Sequence, residues 1–383
     1  MWRALASNGL TIIIVIMVAL AVAVGWAQNR YVAEGPLSEA ICLQVKPGTS
    51  MRAVSRELEE RGAIGSDMLF RMGADYTERT PLLKAGSFLV EPGASMEEIT
   101  RQITTAGPST CGTEVIYRVG INKAELVMRE LDPATQEYVE VVKFDPGEAE
   151  APAEYLDGTK GSDVRYRVTL AEGVTSWQVV DSLSRAGFLT GEAEVPPEGS
   201  LAPDSYEVRK GAEIKPLLAR MQAAQQVILA EAWENRAQGL PYDTPEEALI
   251  MASIVEKETG VPEERRQVAS VFVNRLEAGM KLQTDPTVIY GITEGRGVLG
   301  RGIRQSELRA RTPYNTYVID ALPPTPIANP GRLSIEAALN PDSTDYVFFV
   351  ADGTGGHAFA TTLEEHNENV ARWREIEAER SGN

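Results

Sequence analysis

The chain has 383 residues, which is enough for two or more domains with their own hydrophobic cores. Its formal net charge of -18 argues against nucleic acid as a partner, because like charges repel, whereas a neutral or weakly charged glycan is compatible. The two cysteines, Cys42 and Cys111, leave two possibilities open. They form a disulfide if this part of the chain lies outside the cytoplasm, or they are two unrelated buried thiols.

An apolar segment occupies residues 10–27 and is long enough to span a bilayer. Arg3 precedes it, which favours a cytoplasmic N-terminus, although a basic residue also follows the segment. A cleavable signal peptide is the alternative, but its cleavage-like site, Ala21-Val22-Ala23, lies inside the apolar run rather than after it. We therefore predict a cytoplasmic segment at residues 1–8 and an uncleaved membrane anchor at residues 9–28.

Three segments after the anchor share one pattern. Each has a short strand, a glycine turn, a Ser or Thr N-cap and a helix with apolar residues at helical spacing. Their turns and caps lie at residues 45–50, 90–95 and 170–175. Ser95 with Glu98, and Thr175 with Gln178, have the spacing of capping boxes. The pattern predicts small strand–helix modules, whether or not they bind a ligand.

The region between the second and third copies is different in character. Alternation of apolar and polar residues predicts strands at residues 114–119 and 138–143. Residues 145–160 are rich in Pro, Gly, Ala and acidic residues, so we predict a linker or exposed loop there. The charged C-terminal tail, residues 374–383, is predicted to fray.

The most informative pattern is an apolar helix that carries a carboxylate in its last turn. Thr244 is a suitable N-cap, Pro245 suits the first helical position, and Glu247 completes a capping box. Apolar residues occupy every side of residues 248–255, which predicts a buried helix. Glu256 then lies in apolar surroundings at the negative end of the helix dipole, and both effects should raise the pKa of its carboxyl group. A general acid needs that property, although Glu-Lys-Glu is also an ordinary surface triplet.

Motifs of other active sites are missing from the sequence. His357 and His366 have no zinc-site spacing and no cysteine nearby, so no metal is predicted. There is no Gly-x-Ser-x-Gly elbow and no phosphate-binding or dinucleotide-binding loop, so no cofactor is predicted. His357 follows a predicted strand at residues 346–350 and a glycine-rich turn, where ligand contact and a structural role are both open. For His366, on the last predicted helix, a structural role is favoured.

Several sequence blocks follow one another in a fixed order from this helix onward. They lie at residues 249–260, 274–276, 279–291, 312–317 and 322–331. This ordered set resembles the YceG-like family, the endolytic murein transglycosylases known as MltG. The resemblance runs from the membrane segment to about Trp373 and is dense from Thr244 onward. The set of blocks is specific, although no single block is.

The resemblance implies an α+β fold: a membrane-anchored, LysM-like module followed by a mixed α/β YceG-like catalytic domain. The implied boundaries are 39–107 for the LysM-like module, 108–165 for a strand-containing insert and acidic linker, 166–373 for the catalytic domain with core motifs at 244–367, and 374–383 for the tail. LysM-like modules are related to small glycan-binding modules, and glycan contact is open here. Ala171 stands where the family usually has proline, which is a minor departure.

The resemblance also implies the reaction. It is non-hydrolytic cleavage of the MurNAc-β-1,4-GlcNAc bond in nascent peptidoglycan strands, giving 1,6-anhydro-MurNAc ends and limiting glycan chain length beside peptidoglycan synthases. Most glycosidases use two carboxylates, but here one suffices because the sugar's own 6-hydroxyl closes the ring. Glu256 takes the acid/base role by its match to the family. Glu258 is the nearest alternative, but two residues along a helix turn it by about 200°, so a structural or pairing role is expected.

Polar and aromatic residues of these blocks are predicted to bind the sugar. They are Asn274, Gln283, Thr284, Asp285, Tyr290, Tyr314, Asn315 and His357. Amides and hydroxyls suit the N-acetyl and hydroxyl groups, and tyrosine rings stack on sugar faces. Loop capping and core packing are the alternatives for these residues.

The predicted location is the cytoplasmic (inner) membrane, crossed once, with the N-terminus inside the cell and the catalytic domain outside the cytoplasm. Two alternative functions remain open for the whole chain. One is a membrane-tethered wall-binding or scaffold protein without activity, against which an intact Glu256 argues. The other is a glycoside hydrolase that uses water, which the ends of the products would distinguish.

Overall fold

The computed structural model describes residues 2–105, 107, 110–148, 150–161 and 164–381, with side chains from residue 11 to residue 380 within those ranges. It is a mixed α+β structure that divides into two compact units. The first unit comprises Met1–Val115, Val127–Lys143 and Ala151–Arg165, and the second comprises Ile116–Leu126, Phe144–Glu150 and Tyr166–Asn383.

The first unit begins with one long helix, α1 (Trp2–Val32). Its segment Thr11–Val32 has a mean hydropathy of 2.3, and of these residues only Tyr31 is buried by the protein. At 1.5 Å per residue these residues measure roughly 33 Å, about the thickness of the hydrocarbon core of a bilayer. The helix is therefore long and apolar enough for the predicted single anchor, and it continues beyond the predicted end at residue 28.

A small α/β module follows α1. Its elements are β1 (Ile41–Val45), α2 (Met51–Glu60), α3 (Asp67–Tyr76), β2 (Gly86–Val90) and α4 (Met96–Thr104). The two strands are antiparallel, with Ile41 opposite Val90. The predicted caps are confirmed, because the Ser50 side chain accepts from a main-chain N–H and Ser95 forms a complete capping box with Glu98. Phe70 and the apolar faces of the helices fill the core.

The two cysteines are joined. Cys42 and Cys111 form a disulfide with an S–S distance of 2.07 Å, which confirms the pairing that the sequence left open. The bridge links β1 to the segment that follows α4 and lies within the first unit.

Three strands and a short helix come next: β3 (Thr113–Val119), β4 (Ala124–Asp132), β5 (Glu137–Phe144) and α5 (Ala153–Gly158). The predicted strands at 114–119 and 138–143 are confirmed as β3 and β5. β4 was not predicted, because Leu126, Val127 and Met128 are all buried and the strand therefore lacks alternation. The prediction of a loop through residues 145–160 is wrong where α5 forms after Pro152, a residue suited to a helix start. Within the first unit these strands lie in the order β5-β4-β3.

The second unit contains the remaining elements. They are β6 (Arg165–Leu170), α6 (Ser176–Arg185), β7 (Leu189–Thr190), β8 (Ser205–Val208), β9 (Ala212–Glu213), α7 (Ile214–Glu234), α8 (Pro245–Glu258), α9 (Arg265–Glu277), α10 (Asp285–Thr293), α11 (Gln305–Leu308), α12 (Arg332–Leu339), β10 (Phe348–Ala351), β11 (His357–Ala360) and α13 (Leu363–Ser381). The parts of β3 and β4 within Ile116–Leu126 belong to this unit and lie beside β6 and β8 in the order β4-β3-β6-β8. Strands β6 and β8 are antiparallel, and β10 and β11 form a hairpin. The third predicted cap is confirmed, since Thr175 and Gln178 form a capping box at the start of α6.

Helices α8, α9 and α12 share the main core of the second unit. Five apolar residues of α8 are fully buried: Ala248, Met251, Ala252, Ile254 and Val255. This burial confirms the prediction from the apolar residues on every side of the helix. It also fixes the last turn of α8, from which Glu256 and Glu258 project.

The prediction that the tail frays is wrong, because α13 extends to Ser381. Ile376 lies against Gly353, where an added Cβ would be only 2.9 Å from its Cγ2 atom. Arg380 donates a hydrogen bond to the carbonyl oxygen of Gly353. The helix is thus held on the turn between β10 and β11, through contacts that local charge does not reveal.

Candidate active site

The caps at both ends of α8 fix the position of Glu256 on the helix. At the first turn Thr244 accepts from the Glu247 N–H, and the Glu247 carboxylate accepts from the Thr244 N–H, which is the predicted capping box. At the other end Thr259 is the C-cap, so Glu256 lies in the last turn. Its side chain is only 6% exposed. A rigid, buried helix therefore carries the carboxyl group into a protein environment rather than into solvent.

The Glu256 carboxyl group has two partners of positive character. The main-chain N–H of Gly331 donates to Glu256 Oε2 over 3.0 Å. The guanidinium of Arg265 lies on the other oxygen, with 3.9 Å between Nη2 and Glu256 Oε1. Both contacts stabilise a carboxylate that has lost its proton.

Arg265 connects Glu256 to a second carboxylate. Its side chain is 7% exposed, its Nε donates to Ser334 Oγ over 3.1 Å, and its Nη2 lies 3.4 Å from Glu172 Oε2. Burial and then the charge of Glu256 raise the pKa of Glu172, and Arg265 opposes them. Glu172 comes so close to Gly331 that a Cβ there would lie 1.8 Å from Glu172 Oε1. We call Glu172, Glu256, Arg265 and Gly331 the Glu256 cluster.

Glu258 contacts a different set of residues. Thr284 donates its hydroxyl hydrogen to Glu258 Oε1. Burial raises the pKa of Glu258, and the charge of Asp285 adds to the rise, whereas the Thr284 hydrogen bond, His357 and Arg275 lower it. The separation of the two partner sets agrees with the rotation expected for residues two positions apart on a helix.

Three of the predicted sugar-binding residues lie around Glu258. Thr284 binds it directly, Asp285 accepts a 2.7 Å hydrogen bond from the Tyr317 hydroxyl, and His357 is held by Glu264. The His357 Nδ1 lies 2.8 Å from Glu264 Oε2, and the His357 main-chain N–H donates to Glu264 Oε1 over 2.9 Å. Asp285 begins α10, because Pro286 suits the first turn of a helix. We call Glu258, Thr284, Asp285 and His357 the Glu258 cluster.

Three other predicted residues have backbone or packing roles in the structure. Asn274 donates its amide hydrogens to the carbonyl oxygens of Thr344 and Tyr346, each over 2.8 Å. Asn315 is fully buried, and its amide nitrogen donates to the carbonyl oxygens of Glu307, Leu308 and Ala310 at the end of α11 and just after it. Gln283 has a positive φ of 51° and so marks a sharp change of chain direction before α10. Direct sugar contact by these three residues stays a prediction.

Tyr290 and Tyr314 form an aromatic pair with ring centroids 5.0 Å apart. The Tyr314 hydroxyl lies 2.8 Å from Thr325 Oγ1, and the Tyr290 hydroxyl donates to Glu198 Oε2 over 3.2 Å. Both rings pack against the core of the second unit, so their packing role is observed and their stacking on sugar stays a prediction.

Sequence reasoning missed Glu198 and Arg265. Glu198 accepts a 2.8 Å hydrogen bond from the Ser176 N–H, and burial raises its pKa. It lies in a proline-rich and glycine-rich loop without periodicity, where no sequence pattern marks a buried acid. Arg265 opens α9 beside a second arginine, and only the fold distinguishes the buried one from the exposed one.

The arrangement suits proton transfer by one carboxyl group. Glu256 is enclosed, has a cation and an N–H donor beside it, and has no second carboxylate directly hydrogen-bonded to it among the described residues. Within the described ranges no group of three His, Cys, Asp or Glu side chains is arranged to hold a metal ion.

Comparison with known proteins places these motifs in a family. The model of the YceG-like family matches residues 144–372. A Bacillus subtilis protein named endolytic murein transglycosylase is 46% identical over 119 residues, which are 31% of this chain and 32% of that protein. A Streptococcus pneumoniae serotype 2 protein of the same name is 34% identical over 181 residues, which are 45% of this chain and 32% of that protein. The match thus spans about a third of the length of these relatives.

A crystal structure of a YceG-like protein from Listeria monocytogenes is 25% identical, with a TM-score of 0.46 over 86% of this chain and 99% of that one. The family model itself covers more than half of the present chain, including both carboxylate clusters. The chain therefore belongs to the YceG-like family.

Proposed function

We propose that this protein is a membrane-anchored lytic transglycosylase that cuts the MurNAc-β-1,4-GlcNAc bond inside nascent peptidoglycan strands and leaves 1,6-anhydro-MurNAc ends. The observation that carries the proposal is the Glu256 carboxyl group, which is almost fully buried and contacts one cation and one main-chain N–H. Family membership and the relatives named endolytic murein transglycosylase support the same class of reaction.

The proposed reaction has two proton transfers through one group. Protonated Glu256 donates its proton to the bridging oxygen as the bond between that oxygen and C1 of MurNAc breaks. The carboxylate then accepts the proton of the MurNAc 6-hydroxyl while O6 bonds to C1. The proton returns to Glu256, no water is consumed, and the products are a free GlcNAc hydroxyl and an anhydro ring.

The neighbours of Glu256 fit this sequence of events. Between the two transfers the group is a carboxylate, and the Arg265 guanidinium and the Gly331 N–H stabilise that form. Glu172 competes for the same guanidinium and so moderates its pull on Glu256. A single carboxyl group with these partners can act first as an acid and then as a base.

We propose that the Glu258 cluster holds sugar units next to the bond that is cut. Thr284, Asp285 and His357 offer hydroxyl, carboxylate and imidazole groups for hydroxyl and N-acetyl groups of the glycan. The two carboxyl groups project from the same helix turn in different directions, and a strand of several sugars is long enough to pass from one cluster to the other. Tyr290 and Tyr314 are proposed to stack on sugar faces. Asn274, Gln283 and Asn315 support the loops that carry these groups.

The product ends test the reaction. The full chain in detergent is incubated with uncrosslinked glycan strands, and the products are analysed by mass spectrometry, with Glu256→Gln as the matched control. Anhydro ends that depend on Glu256 support the proposal, and early products of intermediate length support internal cutting. Reducing MurNAc ends indicate a water-using hydrolase, and binding without cleavage indicates a wall-binding or scaffold protein; either result contradicts the proposal.

The proposed location follows from α1. We propose that it crosses the cytoplasmic membrane once, with the N-terminus inside and the catalytic unit outside, next to peptidoglycan synthases as partners. The apolar segment Thr11–Val32 supports the anchor. A C-terminal reporter that is active only in the cytoplasm should stay silent, and a bright signal would overturn this topology.

A further inference from the structure

Helix α3 exposes three large apolar side chains on one face. Met68 is 59% exposed, Met72 is 55% exposed and Tyr76 is 81% exposed. They are spaced four residues apart, so they share one side of the helix. We call them the α3 face. A continuous apolar surface of this kind marks an interaction site more often than scattered exposed residues do.

The α3 face lies beside the membrane helix because α3 is packed directly on α1. The Tyr31 ring fits against Gly73 of α3 so closely that a Cβ on Gly73 would lie 2.1 Å from Tyr31 Cε2. The Tyr31 side chain is buried, and its hydroxyl donates to Thr100 Oγ1 over 2.9 Å. The end of α1 is thus part of the core of the first unit, and α3 has a fixed position along it.

Helix α3 meets α1 along the last turns of the apolar segment of α1. A cavity of about 670 Å³ is lined by Val24 and Gly25 of α1 together with Met72 and Tyr76 of α3. A second cavity is lined by Trp26, Arg30 and Met68, among others. Since the apolar run ends at residue 27, this is the depth at which acyl chains give way to headgroups.

Trp26, Arg30 and Tyr76 at this level have the chemistry of a membrane interface, and Glu34 and Glu97 line the same two cavities. Trp and Tyr are enriched at the boundary of the hydrocarbon layer, and long basic side chains such as Arg30 extend from it towards the headgroups. The acidic Asp67 at the start of α3 is paired with Arg71, with 2.9 Å between Oδ2 and Nη2, so its charge is balanced beside the apolar face.

We propose that the α3 face inserts into the headgroup boundary of the bilayer that α1 crosses, on the side of the first unit. The occupant of this surface is lipid. The inference rests on the proposed anchoring of α1 and goes beyond it, because an anchor alone does not require any part of the folded unit to touch the membrane. The apolar surface of α1 passes directly into the α3 face at one depth, so a lipid that covers the one also covers the other.

The test uses the full chain with one introduced thiol. Cys42 and Cys111 are paired, so Met72→Cys is the reactive cysteine to which an environment-sensitive fluorophore is attached. The labelled protein is reconstituted into phosphatidylcholine–phosphatidylglycerol vesicles that contain a spin label either near the headgroup or deep in the acyl chain. We expect strong quenching by the shallow spin label and weaker quenching by the deep one.

Two further labelled variants make the result decisive. Val22→Cys lies on α1, where the side chain is 66% exposed, and should be quenched most by the deep label. Val139→Cys lies on β5, where the side chain is 54% exposed, and reports an exposed apolar side chain outside α1 and α3. If Met72→Cys is quenched no more than Val139→Cys while Val22→Cys is quenched, the α3 proposal is wrong and the anchor stands. If Val22→Cys is not quenched either, the anchoring itself is wrong and the α3 proposal falls with it.

Discussion

The Glu256 cluster and the Glu258 cluster begin from the same turn of one helix but differ in their partners. Glu256 has a guanidinium and a main-chain N–H beside it, and the neighbouring Glu172 side chain is 41% exposed. Glu258 is bonded to the buried Thr284 hydroxyl, and burial raises its pKa. The Glu256 carboxyl group thus has a cation and a main-chain donor as partners, whereas the Glu258 carboxyl group has a buried hydroxyl.

The difference shows why spacing on a helix decides a chemical role. Because two residues turn the side chain by about 200°, adjacent acids of a single motif reach different parts of the fold. A group that must lose and regain a proton benefits from partners that tolerate its charge. A group that is hydrogen-bonded inside the fold, as Glu258 is to Thr284, can serve as a structural support. Variants of four residues test this difference between the two clusters, and the expected effect decreases from Glu256 to Gly331.

Glu256→Gln should abolish most of the activity. Glutamine keeps the size and hydrogen bonding of the side chain but cannot cycle a proton, and general acid–base catalysis typically contributes ~10²–10⁴-fold. The measurement is the rate of anhydro-end formation by the folded full chain, with melting temperatures checked in parallel. Glu258→Gln should lose much less activity. A larger loss in the Glu258 variant would reverse the assignment of the two clusters.

Glu172→Gln should lower the rate of anhydro-end formation, but by less than Glu256→Gln. The change removes a carboxylate that shares the Arg265 guanidinium with Glu256 and leaves the Glu256 carboxyl group itself in place. The measurement is kcat/KM of the two variants. Glu246→Gln, at the exposed first turn of the same helix, is the control and should keep full activity. Activity of the Glu172 variant equal to that of the control would separate Glu172 from the reaction.

Glu258→Gln should stabilise the protein at neutral pH. The pKa of Glu258 is raised in the folded state, so the folded protein binds the proton more tightly and loses stability as pH rises from the unfolded pKa, about 4.3, through the folded one. Each unit of difference is worth about 1.4 kcal/mol. Urea denaturation at pH 7 should show a more stable variant, and the gain should shrink towards pH 4. A gain that is largest in acid would contradict this sign.

Gly331→Ala should have the smallest effect. The new Cβ would lie 1.8 Å from Glu172 Oε1, so that carboxylate must move, and since it is partly exposed it can do so. Gly331 has an ordinary φ of -74°, and the backbone therefore tolerates alanine. We expect less than about a tenfold change in activity, which corresponds to about 1.4 kcal/mol, and an almost unchanged melting temperature. A collapse of stability would mean that Gly331 matters for the fold rather than for the Glu256 cluster.

Local patterns predicted local structure well. The capping boxes at Ser95, Thr175 and Thr244 depend on residues three positions apart, and all three form as the sequence indicates. The burial of α8 followed from apolar residues on every side. Each of these signals lies within a single helix, so no knowledge of the rest of the fold was needed.

The missed features depend on contacts between distant segments. Strand β4 is buried at consecutive positions, and α13 is held by Gly353, neither of which leaves a periodic trace. Glu198 and Arg265 obtain their surroundings from Ser176 and from Glu172, distant in the chain. The candidate acid could be named from its helix together with the family resemblance, but the groups that modify its chemistry could not.

The unbroken course of α1 into the first unit has a geometric consequence. Since Tyr31 is packed tightly against Gly73, the rotation of α1 about its axis is shared by its apolar segment and the folded module. One residue inserted between Trp26 and Tyr31 would turn the module by about 100° and shift it by about 1.5 Å relative to the apolar segment. The number of residues in that turn thus sets which side of the module is aligned with a given side of the apolar segment.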